Sequence, residues 1–153
     1  MLEGARGRSR FEIGKDGLST IVVGVDDSPS SIHAAVWAAG LARREQATLV
    51  MVFVETMGSP AYWSPTGAAA VAESVAEHVD DLRTRAESYL SEYHINWDLV
   101  HGRGEPAAVL EAVAKEHRAD CIVVGRSRRN GGLLGSVPKT LLSKSARPVI
   151  VIP

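Results

Sequence analysis

Four apolar runs in this chain carry no polar alternation, and that limits the folds open to it. They are Ile21-Val22-Val23 with Val25, Leu49 to Val54, Ile122-Val123-Val124, and Val149-Ile150-Val151-Ile152. A strand with one face in water reads apolar-polar-apolar. A strand covered on both faces reads as a continuous run, which is the mark of parallel sheets sandwiched by helices. Between the runs lie stretches at helical spacing. Ile32, Ala35, Val36, Ala39 and Leu41-Ala42 recur after the first. Val71, Val75, Val79, Leu82, Ala86 and Tyr89-Leu90 form a stripe after the second, in a helix expected over roughly 66–93. Ala107, Val109-Leu110, Val113-Ala114 and His117 follow Pro106. Trp97-Asp98-Leu99-Val100 adds a short strand, expected near a sheet edge because Asp98 interrupts it. The alternation β-α-β-α-β-α-β-α-β predicts an α/β domain with a parallel sheet and helices on both faces.

Ligands of such sheets bind beyond the carboxyl ends of the strands, where the strand order reverses. The positions to inspect are therefore Asp26, Val54, His101 and Gly125. Asp26 ends the first run, where a carboxylate can accept a hydrogen bond from a ribose hydroxyl or an adenine amino group. The competing reading is that Asp26 and Asp27 merely cap the next helix, whose cap is Asp27 or Ser28 with Pro29 in its first turn, and for Asp27 capping is preferred. Beyond Gly125 lie Gly131, Gly132 and Gly135, with Arg126, Arg128 and Arg129 among them. Ser136 then opens a helix that tolerates Pro138 in its first turn and must end before Pro148. A strand, a glycine loop and a helix N-terminus leave backbone amides where an anion can sit. Charge points the same way. No acidic residue follows Asp120, while six basic residues do; the first 120 residues hold eleven basic and eighteen acidic ones. A chain of net charge −1 with a basic final third suggests a local anion site rather than a nucleic-acid surface.

Other chemistries fit less well. Lys139-Thr140 lacks the glycine spacing of a Walker A loop. No Gly-x-Ser-x-Gly elbow makes Ser136 a nucleophile. The five histidines show no metal-ligand spacing, and His101 reads as structural before catalytic. A phosphate-accepting receiver domain would need an Asp and a Lys where His101 and Pro153 stand. Cys121, the one cysteine, sits in a buried run and reads as an inert core thiol of a reducing, cytoplasmic compartment. No apolar run approaches the ~20 residues that span a bilayer, and residues 1–17 show no signal-peptide core. They read as a mobile tail ahead of a domain over 18–153. Met57 to Pro65, with Gly58 and two prolines, is expected to be an irregular connection. It is long enough for a flap, and Tyr62-Trp63 either cover a base or pack within the loop.

Taken together, the segments resemble the universal stress proteins, a small adenine-nucleotide-binding α/β family. Val22-Val23-Gly24-Val25-Asp26-Asp27-Ser28 is similar to that family's opening strand and Asp turn. Val123-Val124-Gly125, then Leu133-Leu134-Gly135-Ser136-Val137-Pro138 and Ala146-Arg147-Pro148-Val149-Ile150-Val151-Ile152 resemble its closing third. The likeness runs over about 19–153. It implies a single Rossmann-like domain, a five-stranded parallel sheet of order 3-2-1-4-5, and a homodimer paired through Val149, Ile150, Val151 and Ile152. It also implies ATP or another adenine nucleotide, bound by a stress-response sensor or regulator. Asp26 and Val54, with Val25, would meet the adenosine; Gly125, with Val124, the ribose-phosphate region; and Gly135, Ser136 and Val137 the phosphates. ATP-binding members carry Gly, two residues, Gly, nine residues, Gly, then Ser or Thr. Here Arg128 replaces the second glycine and only six residues separate it from Gly135-Ser136. Arg126, Arg128 and Arg129 would then hold phosphate by charge-assisted bonds. The alternatives are a dimeric interaction module that has lost the nucleotide and, third, a slow ATPase.

Overall fold

The computed structural model describes residues 17–126 and 135–153. Five strands, β1 (Thr20–Val25), β2 (Thr48–Glu55), β3 (Trp97–Arg103), β4 (Cys121–Gly125) and β5 (Val149–Ile152), alternate with four helices. These are α1 (Pro29–Glu45), α2 (Pro65–Leu90), α3 (Pro106–Glu116) and α4 (Ser136–Lys144). All neighbouring strands pair in parallel, in the order β3-β2-β1-β4-β5. The sheet grows one way from β1 to β3, then crosses back to β4 and on to β5. Right-handed crossovers therefore send α1 and α2 to one face and α3 and α4 to the other.

Residue parity within each strand decides which core a side chain enters. Ile21, Val23, Leu49, Met51, Leu99, Cys121 and Val123 pack with α1 and Leu90 of α2. Val22, Val50, Val52, Ile122 and Val124 pack with Ala107, Leu110, Val113 and Ala114 of α3 and Leu141 of α4. Both faces of each central strand are thus apolar, which is why the runs do not alternate. Burial first, and Asp120 second, push the Cys121 thiol up to about 11, so it stays protonated at neutral pH.

The structure departs from three expectations. The core face of α1 is Ser31, Ala34, Ala38, Ala39 and Ala42, while Ile32 and Val36 are exposed by 48% and 44%. Small side chains let α1 lie close on the sheet, and the branched residues face outward because no room remains beneath. β3 continues through His101-Gly102-Arg103, past Val100, where the short strand was expected to end. Inside the connection after β2, Pro60–Trp63 form a 3₁₀ turn, with the Ser59 hydroxyl capping it. Proline suits the first position of a helical turn, so it orders this segment rather than preventing structure. The tail expected over 1–17 lies, but for Gly17, outside the described residues, as does Arg128.

Ala38→Leu should cost about 1–3 kcal/mol by overpacking this seam, whereas Ile32→Ala should stay within about 0.5 kcal/mol. Urea denaturation of the two variants checks it; the reverse ranking would mean the seam has been misassigned.

Candidate functional site

The carboxyl ends of β1 and β4 meet at the point where strand order reverses. Ser31 of α1, buried, organises the β1 end. Its hydroxyl accepts from the Asp26 amide at 2.8 Å and reaches the Gly24 carbonyl at 3.5 Å. Asp26 Oδ1 accepts from the Ser28 amide at 3.0 Å, and the Ser28 hydroxyl caps α1 through the Ser31 amide at 3.2 Å. Asp26 therefore shapes the turn with Oδ1, and of the two candidate caps, Asp27 and Ser28, it is Ser28 that caps α1.

Gly125 faces this turn across the crevice. A Cβ there would lie 2.4 Å from the carbonyl carbon and oxygen of Ser30 and 2.7 Å from the Ser31 amide nitrogen. The first turn of α1 thus rests directly on the end of β4, and no side chain fits between them. That gives Gly125 a packing reason apart from any ligand. On the α3 and α4 side, Val124 is buried and Val54 and Val137 pack at the margin of the same core. Gly135 is the N-cap of α4, at φ −67° and ψ 171°, with Ser136 and Val137 opening the helix. Their amides are among the first-turn donors that no intrahelical carbonyl satisfies. Arg126 continues β4 at this end of the sheet, its amide donating to Ile152 O at 2.6 Å. Its Nε is buried without a hydrogen-bond partner among the described residues. The arrangement brings Val25, Asp26, Val54, Val124, Gly125, Gly135, Ser136 and Val137 to one end of the sheet, with orphan N–H donors and one carboxylate.

A second constellation, which pattern reading missed, lies at the same end on the α2 face. Glu55 is only 4% exposed. One carboxylate oxygen accepts from the Tyr62 hydroxyl. The other lies 2.9 Å from His101 Nε2 and 3.0 Å from Arg103 Nε. Burial pushes its carboxyl up, but Tyr62, Arg103 and His101 outweigh burial and hold it below the ordinary carboxylate range. The same bond pushes the Tyr62 hydroxyl up. Tyr62 is thereby turned inward, while Trp63 beside it is 85% exposed. The Phe53 ring stands 4.9 Å from that of His78 and 5.8 Å from that of His101. His78 in turn is 2.9 Å from Asp27, which sits at φ 64° and also holds Arg85 at 3.0 Å. These contacts fasten α2, whose one buried residue is Leu90, to the strand ends. Register could have revealed the cluster: Phe53 pairs with His101 and Glu55 with Arg103, all of one parity. Two clefts lie elsewhere. One of about 680 Å³ runs beside Arg83, Glu87 and Trp97, and one of about 180 Å³ between α3 and α4.

The fold and its crevice define a doubly wound α/β domain of the kind that receives ligands at a topological switch point. The model of the universal stress protein family matches residues 17–153, and the chain belongs to that family. It is similar to the structure of universal stress protein UspA from Lactobacillus plantarum, at 26% identity and TM-score 0.77, over 88% of this chain and 97% of that one. A universal stress protein solved in complex with cAMP is likewise 26% identical, with TM-score 0.65, over 90% of this chain and 98% of that one. Among curated proteins, uncharacterized protein C167.05 of Schizosaccharomyces pombe is 29% identical over 144 residues. That match takes in 86% of this chain but only 23% of the yeast protein, so the chain spans about a quarter of that relative.

Glu55→Gln should lower stability by about 1–3 kcal/mol at neutral pH, because Arg103 and His101 lose their anionic partner in a buried place. The depressed folded-state pKa means this stabilisation is full above the ordinary value of 4.5 and is lost as pH falls through the folded value. Denaturation of both proteins at pH 7 and pH 3 checks it: the gap should narrow in acid. A gap unchanged or wider at pH 3 would contradict the ionic account.

Proposed function

We propose that this chain binds an adenine nucleotide, ATP or a close relative, and acts in the cytoplasm as a stress-response sensor or regulator. Residues 18–153 form its domain, and two copies pair through Val149–Ile152. The observation that carries the reading is the pairing of chemistries across the switch point. Asp26 offers an acceptor for ribose or adenine at the end of β1. The first-turn amides of α4, with the Arg126 Nε that has no partner among the described residues, offer donors for phosphate beyond β4. A donor set of this kind stabilises an anion through its N–H groups and the positive end of the helix dipole. The relative solved with cAMP supports the adenine nucleotide as the ligand class.

Val25, Asp26 and Val54 would hold the adenosine, Val124 and Gly125 the ribose-phosphate region, and Gly135, Ser136 and Val137 the phosphates. Arg128, which lies outside the described residues, would add a charge-assisted bond. The competing reading, a dimeric interaction module without nucleotide, draws on the same loop. It is three residues shorter than that of ATP-binding members and has Arg128 in place of a glycine.

Calorimetric titration of nucleotide-stripped protein with ATP, AMP and cyclic AMP separates the two. Binding below millimolar is expected, with Gly135→Asp weakening it at least tenfold. Asp is a favourable N-cap, so that variant keeps its helix while placing a carboxylate where phosphate should lie. No heat at millimolar nucleotide would favour the interaction module, and unchanged affinity in the variant would put the phosphates elsewhere.

A further inference from the structure

The two edges of the sheet are finished differently. On the β3 edge, the Leu49 amide donates to Asn96 O at 2.8 Å and the Gly104 amide to Glu55 O at 3.0 Å. Even-numbered residues of β3 therefore turn their main-chain groups to β2, and odd-numbered ones turn theirs outward. Leu99, the third residue of the strand, has both outward groups occupied. Its N–H donates to Asp98 Oδ1 at 2.8 Å, and its carbonyl accepts from Arg83 Nη2 of α2 at 3.3 Å. An incoming strand would find the outward groups of Leu99 filled and two charged side chains lying across them, although no side chain among the described residues bonds to the outward main chain of Trp97, His101 or Arg103.

On the β5 edge, the Ile122 amide donates to Pro148 O at 2.9 Å and the Arg126 amide to Ile152 O at 2.6 Å. Residues 148, 150 and 152 thus face β4, and Val149 and Val151 turn their main-chain groups outward. The strand is Val-Ile-Val-Ile, half-buried throughout. No side chain among the described residues bonds to the main chain of Val149 or Val151. A bare apolar edge is a template for another strand, and natural sheets close unwanted edges with charges.

We propose that Asp98 and Arg83 limit assembly: they shut the β3 edge to a second copy of this chain, so that pairing stops at one closed dimer through β5. The proposal rests on the β5 pairing given above. A two-fold β5–β5 contact consumes both open edges and is self-limiting. Two bare β3 edges on such a dimer would let copies add at both ends.

Light scattering over a concentration series tests it, with near-UV circular dichroism to verify folding. Wild type should weigh two chains. Asp98→Ala with Arg83→Ala should grow with concentration beyond two chains, and Asp98→Asn with Arg83→Lys, which keep an acceptor and a donor, should return to two. A folded double-alanine variant that stays at two chains at every concentration overturns the proposal. If that variant fails to fold, Asp98→Ala alone serves, with the same expectation and the same overturning result. A monomeric wild type would sink the β5 pairing instead; the guard is then read from the double variant, which should dimerise where wild type does not, and one that stays monomeric overturns it too.

Discussion

The seat of α1 on the end of β4 is the contact on which the strand-end crevice depends. Gly125 lets the carbonyl of Ser30 come so near that even a methyl group would collide with it. Ser31, one residue on, then locks the Asp26 turn through its hydroxyl. One backbone approach thereby sets how far β1, β4 and the N-terminus of α1 stand from one another. The row of alanines along α1 serves the same end, since larger residues would lift the helix and open the seam.

The two sides of the strand ends have been given different work. On the α2 face, Glu55 is fully engaged by Tyr62, His101 and Arg103, and Asp27 by His78 and Arg85. The Asp27 pairs hold a long, shallowly buried helix in place, and the Glu55 cluster ties the 3₁₀ turn to β2 and β3. On the other side, the donors of α4 and the Nε of Arg126 have no protein acceptor among the described residues. The charge asymmetry of the chain follows this division only in part: Arg126 stands at the strand end, but Lys144 closes α4 and Arg147 pairs with Glu111 ahead of β5.

Fold was legible because burial on both faces leaves a signal that needs no context: four unbroken apolar runs. Asp98 marked an edge strand for a sound reason, although its bond to the Leu99 amide depends on register. The crevice was half legible. Gly125 and Asp26 stood at strand ends, and their places agree with that reading, but the demand on Gly125 comes from Ser30, ninety-five positions away in the chain. Ile32 and Val36 misled because hydrophobicity alone does not tell a core residue from one excluded by close packing. Glu55 was invisible because a carboxylate at a strand end ordinarily faces water. Only the pairing of β2 with β3 shows that His101 and Arg103 are delivered to it.

The most direct measurement is a map of backbone amide shifts during titration with ATP. The account predicts that the amides of Asp26, Val54, Gly125, Ser136 and Val137 move together and saturably, while those of Thr84 and Trp97 beside the open cleft stay still. Shifts confined to that cleft, or none at all at saturating nucleotide, would contradict it.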